Sequence, residues 1–467
     1  MAPNHSSSAP TAAAQVLSGQ RVEEEVAEVA PRAKVLIISP VFPPQVAVGG
    51  GVAVTVGALT DKLIHRGCVV KVLSPRLFNV DFGTSSLYKS FPVQFPTVFN
   101  LRLFYREIKE ADVLVCPDNT VMPFLLYFCH LLGKPLVFNL HTNVRKLLEM
   151  TGPFGRYVSA PICDGFIRSC SNMTARTFTT SPSYREVLQK RGYRVDAVFS
   201  PRIKLAIFEV EDSQAEIDEA RKLLSKGAVD KTLLIYVGRF SHEKRIDLLA
   251  RAKPAECVLA IVGDGPGEAG DDVERLHDPA SHVHVFRGMQ GQARLRVFYK
   301  ASDFLVSASN FETLGMTVAE ANLCDTPAIC ERATGFDTQI VHGENGFLIN
   351  YDDSESAREA IRDAIKHKPT AAMIRKVIGG DQRWDHALPN LEDLVLEIAD
   401  VGNDKSRWGS GPLPLWIMTP AIVFFYVMFW IVGFPFNQVT NFADRKNPGP
   451  AIFNSKRLAP KASSAAN

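Results

Sequence analysis

Short apolar runs, rich in β-branched residues, recur along the chain from Lys34 onward, each followed by a mixed stretch long enough for a helix. The first series comprises Val35 to Ile38, Val69 to Leu73, Val113 to Val115, Leu136 to Phe138 and Phe178 to Thr180. These runs are apolar at successive positions and do not alternate, which predicts strands buried on both faces of a parallel sheet. After an acidic, helix-prone linker over residues 209–228 the pattern restarts with Leu233 to Val237, Val258 to Val262, Val283 to Phe286, Phe304 to Val306, Ala328 to Cys330 and Phe347 to Ile349. Two such series predict an α/β chain of two doubly wound domains, over residues 34–208 and 229–400, the second ending in a returning helix. Ligands are expected in the cleft beyond the carboxyl ends of the strands.

The two ends of the chain break this pattern. Residues 1–33 are rich in Ala, Ser and Pro and then acidic, with too little apolar density to offset the entropy of ordering, so a disordered leader is expected. Its first twenty residues lack acidic side chains, as a transit peptide does, but also lack arginine. Near the other end no charged residue occurs from Trp408 to Ala443, and the 24 residues 413–436 are almost wholly apolar and aromatic. That length suffices to cross roughly 30 Å of hydrocarbon, although Pro420 and Pro435 equally suit a bent, half-inserted helix. The tail over 437–467 carries five basic residues against one acidic, a net of +4. By positive-inside logic the tail and the two domains share the cytosolic or stromal side of a membrane, such as a plastid envelope, favouring an in-plane or re-entrant anchor.

Composition narrows the class further. With 46% apolar and 22% charged residues over 467 positions, the chain is neither a small disulfide scaffold nor wholly disordered. Its 52 Lys and Arg against 50 Asp and Glu give no basic excess that would mark a nucleic-acid partner. The eight cysteines show no C-x-x-C spacing and read as reduced thiols. No Asp-x-Asp is placed to hold a metal beside a diphosphate, so neither metal nor other cofactor is expected.

Three stretches carry candidate chemistry. Gly49-Gly50-Gly51 lies between the first strand and an expected helix from Val52 to Arg66, where glycines allow backbone N–H groups to approach an anion; a tight turn explains the run equally well. Leu233 to Val237 ends in Gly238-Arg239-Phe240-Ser241-His242-Glu243-Lys244, in which an Arg fork and a Lys point charge suit a diphosphate, or else face solvent. The run from Asn310 to Glu320 puts Glu312 in a loop before a helix and Glu320 inside it. Each carboxylate suits sugar hydroxyls, and the amides near Leu314 and Gly315 suit a phosphate. Val318 and Ala319 do not fit a solvated helix face.

Together these stretches resemble the retaining glycosyltransferases of the two-Rossmann-domain (GT-B) type, in particular family 4, over roughly residues 34–385. The resemblance rests on Gly50-Gly51-Val52, the G-R-x-x-x-E-K run from Gly238 to Lys244, Gly263-Asp264-Gly265-Pro266, and the pair Glu312 and Glu320. It implies that Arg239, Lys244 and Gly263 bind the donor, with the two cations on its diphosphate. It places Glu320 on the ribose, and Leu314 and Gly315 beside a phosphate. Gly50 and Gly51 would approach from the other domain, with Glu312 and His141 beside the transferred sugar. Glu312-Thr313-Leu314-Gly315 and Gln382-Arg383-Trp384-Asp385 resemble plant and algal sulfoquinovosyltransferases, which implies a UDP-sugar donor, a membrane lipid acceptor, and Arg145 and Lys146 as cations for a sulfonate. The chain departs from the family at Arg202-Ile203-Lys204, where Gly-Val-Asp is usual, and at Thr334-Gly335-Phe336-Asp337-Thr338, where Gly-Gly-x-x-Glu is usual. Another hexose donor, a glycan acceptor, or a non-catalytic sugar-nucleotide-binding protein of the same fold are the alternatives.

Overall fold

The structure, a computed structural model, describes residues 31–39, 46–74, 101–117, 122–150, 152–199, 205–265, 267–288, 290–379, 388–401 and 451–454. Six parallel strands, β1 (Lys34–Ile38), β2 (Val69–Ser74), β3 (Val113–Pro117), β4 (Leu136–Leu140), β5 (Arg176–Thr179) and β6 (Ala197–Val198), form the first sheet in the order β2-β1-β3-β4-β5-β6. Ala451–Asn454, from the basic tail, adds antiparallel at the free edge of β2. Six further parallel strands, β7 (Thr232–Arg239), β8 (Cys257–Asp264), β9 (Val283–Arg287), β10 (Phe304–Ser307), β11 (Ala328–Glu331) and β12 (Gly346–Ile349), make the second sheet in the order β12-β11-β10-β7-β8-β9.

The unbroken apolar runs have a direct cause. Successive residues of β1 point to opposite faces, and both faces are covered: Leu36 and Ile38 pack with Leu114, Cys116 and Phe138, while Val35 and Ile37 pack with Val113, Val115 and Val137. Each such aliphatic side chain contributes about 1.5–3 kcal/mol by leaving water. All eight cysteines are free, and seven are buried.

Eight helices position the site: α1 (Val46–His65), α2 (Val144–Glu149), α3 (Ala160–Met173), α4 (Pro182–Lys190), α5 (Gln292–Lys300), α6 (Met316–Leu323), α7 (Phe336–Gln339) and α8 (Leu391–Val401). Helix α1 begins at Val46, six residues before the expected start, so the glycine run lies within its first turns and not ahead of it. Residues 209–228 contain a helix, Gln214–Leu224, with a reciprocal cap between Ser213 and Glu216; its Ala220 and Leu224 are buried against the second sheet. Helix α8 returns to the first domain, where Leu391, Val395 and Leu396 join the core beneath α1. Lys62 with Glu392 at 3.1 Å and Arg66 with Asp393 at 2.9 Å flank that contact.

The leader up to residue 30, Arg202-Ile203-Lys204, Gln382 to Asp385 and the apolar segment 413–436 lie outside the described residues. Among the described residues, no helix is long and apolar enough to cross a membrane.

Candidate active site

A cavity of about 340 Å³ opens where the carboxyl ends of the two sheets face each other, lined by Gly51, His141, Arg239, Lys244, Glu312 and Gly315 among others. Gly263 and Leu314 also reach it. The strand ends explain the convergence. His141 follows β4, Arg239 ends β7, Gly263 lies near the end of β8, and the loop carrying Glu312 follows β10.

The cations are already held by carboxylates. Arg239 Nη2 donates to Glu243 Oε1 at 2.8 Å, and Lys244 Nζ pairs with Glu312. Burial works against ionisation of Glu243, but the adjacent Arg239 charge and the Ser241 hydroxyl, 2.6 Å from Oε1, outweigh it and keep the carboxyl below its ordinary range. Two cations thus face the cavity on carboxylate partners, so an entering dianionic group meets positive charge already placed there and exchanges with Glu312 for Lys244.

Backbone packing sets the floor. Gly263 is paired with Gly238 across β7 and β8, and a Cβ on Gly263 would lie 1.8 Å from the Gly238 carbonyl oxygen. Gly315 has φ +84°, caps α6, and would collide with Phe336 if it carried a side chain. Gln339 donates to the carbonyls of Leu314 and Gly315, the latter at 3.0 Å, and so holds the turn whose free amides start α6. Opposite, Gly51 is the sixth residue of α1, past the turn whose N–H groups are free. A Cβ there would stand 3.3 Å from Met316 Sδ, so its role is close approach of the two domains.

His141 is buried, and burial pushes its imidazole down to about 4, so the ring is neutral near pH 7. It sits edge to face on Phe199, with ring centroids 5.5 Å apart. A neutral imidazole donates or accepts a hydrogen bond without adding charge.

Two family models match this chain: the one described as Glycosyltransferase Family 4 over residues 49–199, and the one described as Glycosyl transferases group 1 over residues 219–378. The chain belongs to the family 4 glycosyltransferases. It is 35% identical to the sulfoquinovosyl transferase of Arabidopsis thaliana over 278 residues, 57% of this chain and 52% of that protein, so it spans about half the length of that relative. It is 25% identical to the alpha-monoglucosyldiacylglycerol synthase of Streptococcus pneumoniae over 307 residues, 61% of this chain and 68% of that one. Anabaena HepE in complex with UDP-glucose shares the fold with a TM-score of 0.59 at 18% identity, covering 79% of this chain and 99% of that one.

In this family 4 chain the remaining sequence candidates divide. Glu320 lies beneath the cavity wall, buried, with Tyr299 Oη donating to it at 3.0 Å and Gln292 Nε2 at 3.4 Å; burial raises its carboxyl to about 7. Arg145 and Lys146 stand on α2 outside the lining, while Asn143 and Leu147 of the same turn reach it. Arg145 bonds Glu149 at 2.9 Å and Asp164 at 3.1 Å, and Lys146 is 3.6 Å from Glu149.

The departure at 334–338 acquires a structural role. Ser183 and Thr338 hydroxyls are 2.7 Å apart, Gly335 N–H donates to Ser183 Oγ at 3.2 Å, and the Ser181 hydroxyl donates to the Thr313 carbonyl. The start of α4 is thereby stitched to the loop of Glu312 and to α7. Several site residues escaped the sequence reading. Glu243 lay inside the G-R-x-x-x-E-K run, four positions after Arg239, and that spacing was a usable signal. Ser181 was legible only as an N-cap before Pro182. Arg245, left-handed at φ +47°, ties the Ala308 carbonyl at 2.7 Å and Glu331 together at the ends of β10 and β11. Nothing local announced that role.

Proposed function

We propose that this glycosyltransferase moves a sugar, with retention, from a UDP-sugar to a membrane lipid. The observation that carries the reading is the meeting of Arg239, Lys244, Glu312 and His141 in one interdomain cavity. As the bond from the anomeric carbon to the diphosphate breaks, negative charge grows on the leaving oxygens. Arg239, Lys244 and the amides at the start of α6 stabilise it, without need of a metal. Glu312, released from Lys244 when the diphosphate takes that cation, accepts hydrogen bonds from the sugar hydroxyls. Neutral His141 positions the sugar from the opposite domain, while Glu320, which the resemblance put on the ribose, stays behind the lining on Tyr299 and Gln292 and supports α6 from within. The acceptor hydroxyl attacks from the face the diphosphate leaves, and its proton passes to the departing diphosphate. Domain closure through Ser181 and Ser183 excludes water, which limits hydrolysis of the donor.

The lipid acceptor is supported by the names of two relatives, a sulfoquinovosyl transferase and an alpha-monoglucosyldiacylglycerol synthase, and by the apolar segment 413–436 of the sequence. In this reading that segment anchors the chain with its domains on the cytosolic or stromal side. Sulfoquinovose transferred to diacylglycerol is the first specific assignment. An uncharged hexose donor is the second, favoured by the pairing of Arg145 with Glu149 and Asp164, which already neutralises that guanidinium. Incubating the purified chain with radiolabelled UDP-glucose or UDP-sulfoquinovose and diacylglycerol vesicles, then separating the lipids, tests both. A labelled glycolipid that disappears in Lys244→Ala is expected. Absence of both glycolipid and UDP release with every donor refutes catalysis.

A further inference from the structure

The stretch from Phe154 to Asp164, which joins the connection after α2 to the start of α3, is amphipathic in the reverse sense. Gly155–Ser159 forms a π-helical turn that runs into α3. Its side chains at a spacing of three and four, Phe154, Tyr157, Val158 and Ile162, all face solvent, with Phe154 and Tyr157 more than 70% exposed and Ile162 60% exposed. Over this stretch the inward side carries Gly155, Ala160 and Asp164, and the ordinary pattern resumes further along α3, where Cys170 and Met173 join the core. Asp164 is satisfied there by Arg145 at 3.1 Å and by Tyr193 Oη at 2.9 Å. A surface helix ordinarily turns its apolar stripe to the core and its polar residues to water. Here the polar anchor is buried and the large apolar side chains are displayed, a contiguous patch of the kind that marks an interaction surface.

We infer that this patch docks the first domain on a lipid bilayer, an inference that rests on the lipid-acceptor reading. Two features select a bilayer as the occupant. The patch combines two aromatic rings with branched aliphatics and includes exposed Arg156, a composition that fits the boundary of acyl chains and anionic headgroups. It is also continuous with the cavity: α2, which supplies Leu147 and follows Asn143 in the lining, leads directly through exposed Met150 into the patch, and Arg145 ties α2 to α3. A bilayer against Phe154, Tyr157 and Ile162 lies beside the mouth on the acceptor side.

The test uses the full chain with Val158→Cys in a Cys163→Ser background, the other seven cysteines being buried, and an environment-sensitive fluorophore on position 158. Adding mixed phosphatidylglycerol and phosphatidylcholine vesicles should shift the emission to shorter wavelength, and headgroup-labelled quencher lipids should quench it. Emission that stays water-like while the protein sediments with vesicles overturns the inference, because the membrane is then held elsewhere. Emission already shielded before vesicles are added also overturns it, since the chain's own apolar segment then covers the patch. In parallel, Phe154→Ser/Tyr157→Ser/Ile162→Ser should raise KM for diacylglycerol in vesicles about tenfold or more, with kcat toward a detergent-dispersed short-chain acceptor unchanged. Equal loss toward both acceptors overturns the docking role. If no acceptor is glycosylated by either protein, the functional reading fails while the fluorescence result still decides the surface.

Discussion

Replacing Glu320 by Gln should abolish a pH dependence of stability that the wild-type chain carries. Glu320 is buried in α6, and burial raises its carboxyl from 4.5 to about 7. Its two donors, Tyr299 Oη at 3.0 Å and Gln292 Nε2 at 3.4 Å, are neutral and only partly offset the desolvation of a charge. Between pH 4.5 and 7 the unfolded chain has lost this proton and the folded chain retains it. The unfolded state then binds fewer protons, so stability falls as pH rises, by about 1.4 kcal/mol per pH unit. Across the whole window the loss is about 3 kcal/mol: the stabilisation is fully present below the unfolded value and gone once pH exceeds the folded one. Gln keeps the shape and the hydrogen-bonding capacity of the protonated acid and does not titrate. Urea unfolding followed by far-ultraviolet circular dichroism at a series of pH values should show wild type losing about 3 kcal/mol relative to Glu320→Gln between the acid and alkaline ends of that window. Parallel curves for the two proteins would refute the reasoning, because Glu320 would then be ionised in the folded state at no cost.

His141 is held near 4 by burial, so activity should show no limb from it around pH 6.5, and its imidazole proton resonances should titrate near the lower value; a resonance midpoint at 6.5 contradicts the burial argument. The sign here is opposite to that of Glu320: the neutral form is the one the fold accepts, so stability falls as pH drops from 6.5 through about 4. Gly263→Ala should cost more than about 3 kcal/mol, since its Cβ meets the Gly238 carbonyl at 1.8 Å and β7 and β8 must separate; an unchanged melting temperature would contradict it. Ser183→Ala with Thr338→Val removes the 2.7 Å hydroxyl contact and one of the two acceptors of Gly335 N–H, Asp337 Oδ1 at 3.1 Å keeping the other, and should weaken domain closure by about 1 kcal/mol. Small-angle scattering should then give a larger radius of gyration without UDP than wild type, and identical radii would show that closure rests on other contacts.

Much of the site was legible because the family motifs sit at strand ends. Arg239 ends β7 and Lys244 follows it by five positions, so their proximity was a local fact. Their counter-charges were not equally legible. Lys244 and Glu312 are 68 positions apart and meet only because β7 and β10 are neighbours in the second sheet. Arg145 shows the same limit from the other side. As an isolated cation beside His141 it suited a sulfonate, yet Asp164, nineteen positions on, reaches it when α3 folds back over α2.

By itself the sequence determined the two strand and helix series, the burial of both faces of each sheet, and the family. Those properties follow from periodicity and short motifs, which act within one strand or one turn. Only the tertiary structure decided which carboxylate holds which cation, that Glu320 is sealed away from water and titrates near 7, that Gly51 serves close approach to Met316, and that Phe154, Tyr157 and Ile162 face outward. Each of these depends on what another element places against the residue. Local solvation and charge are set by neighbours distant in sequence, and chain periodicity carries no record of them.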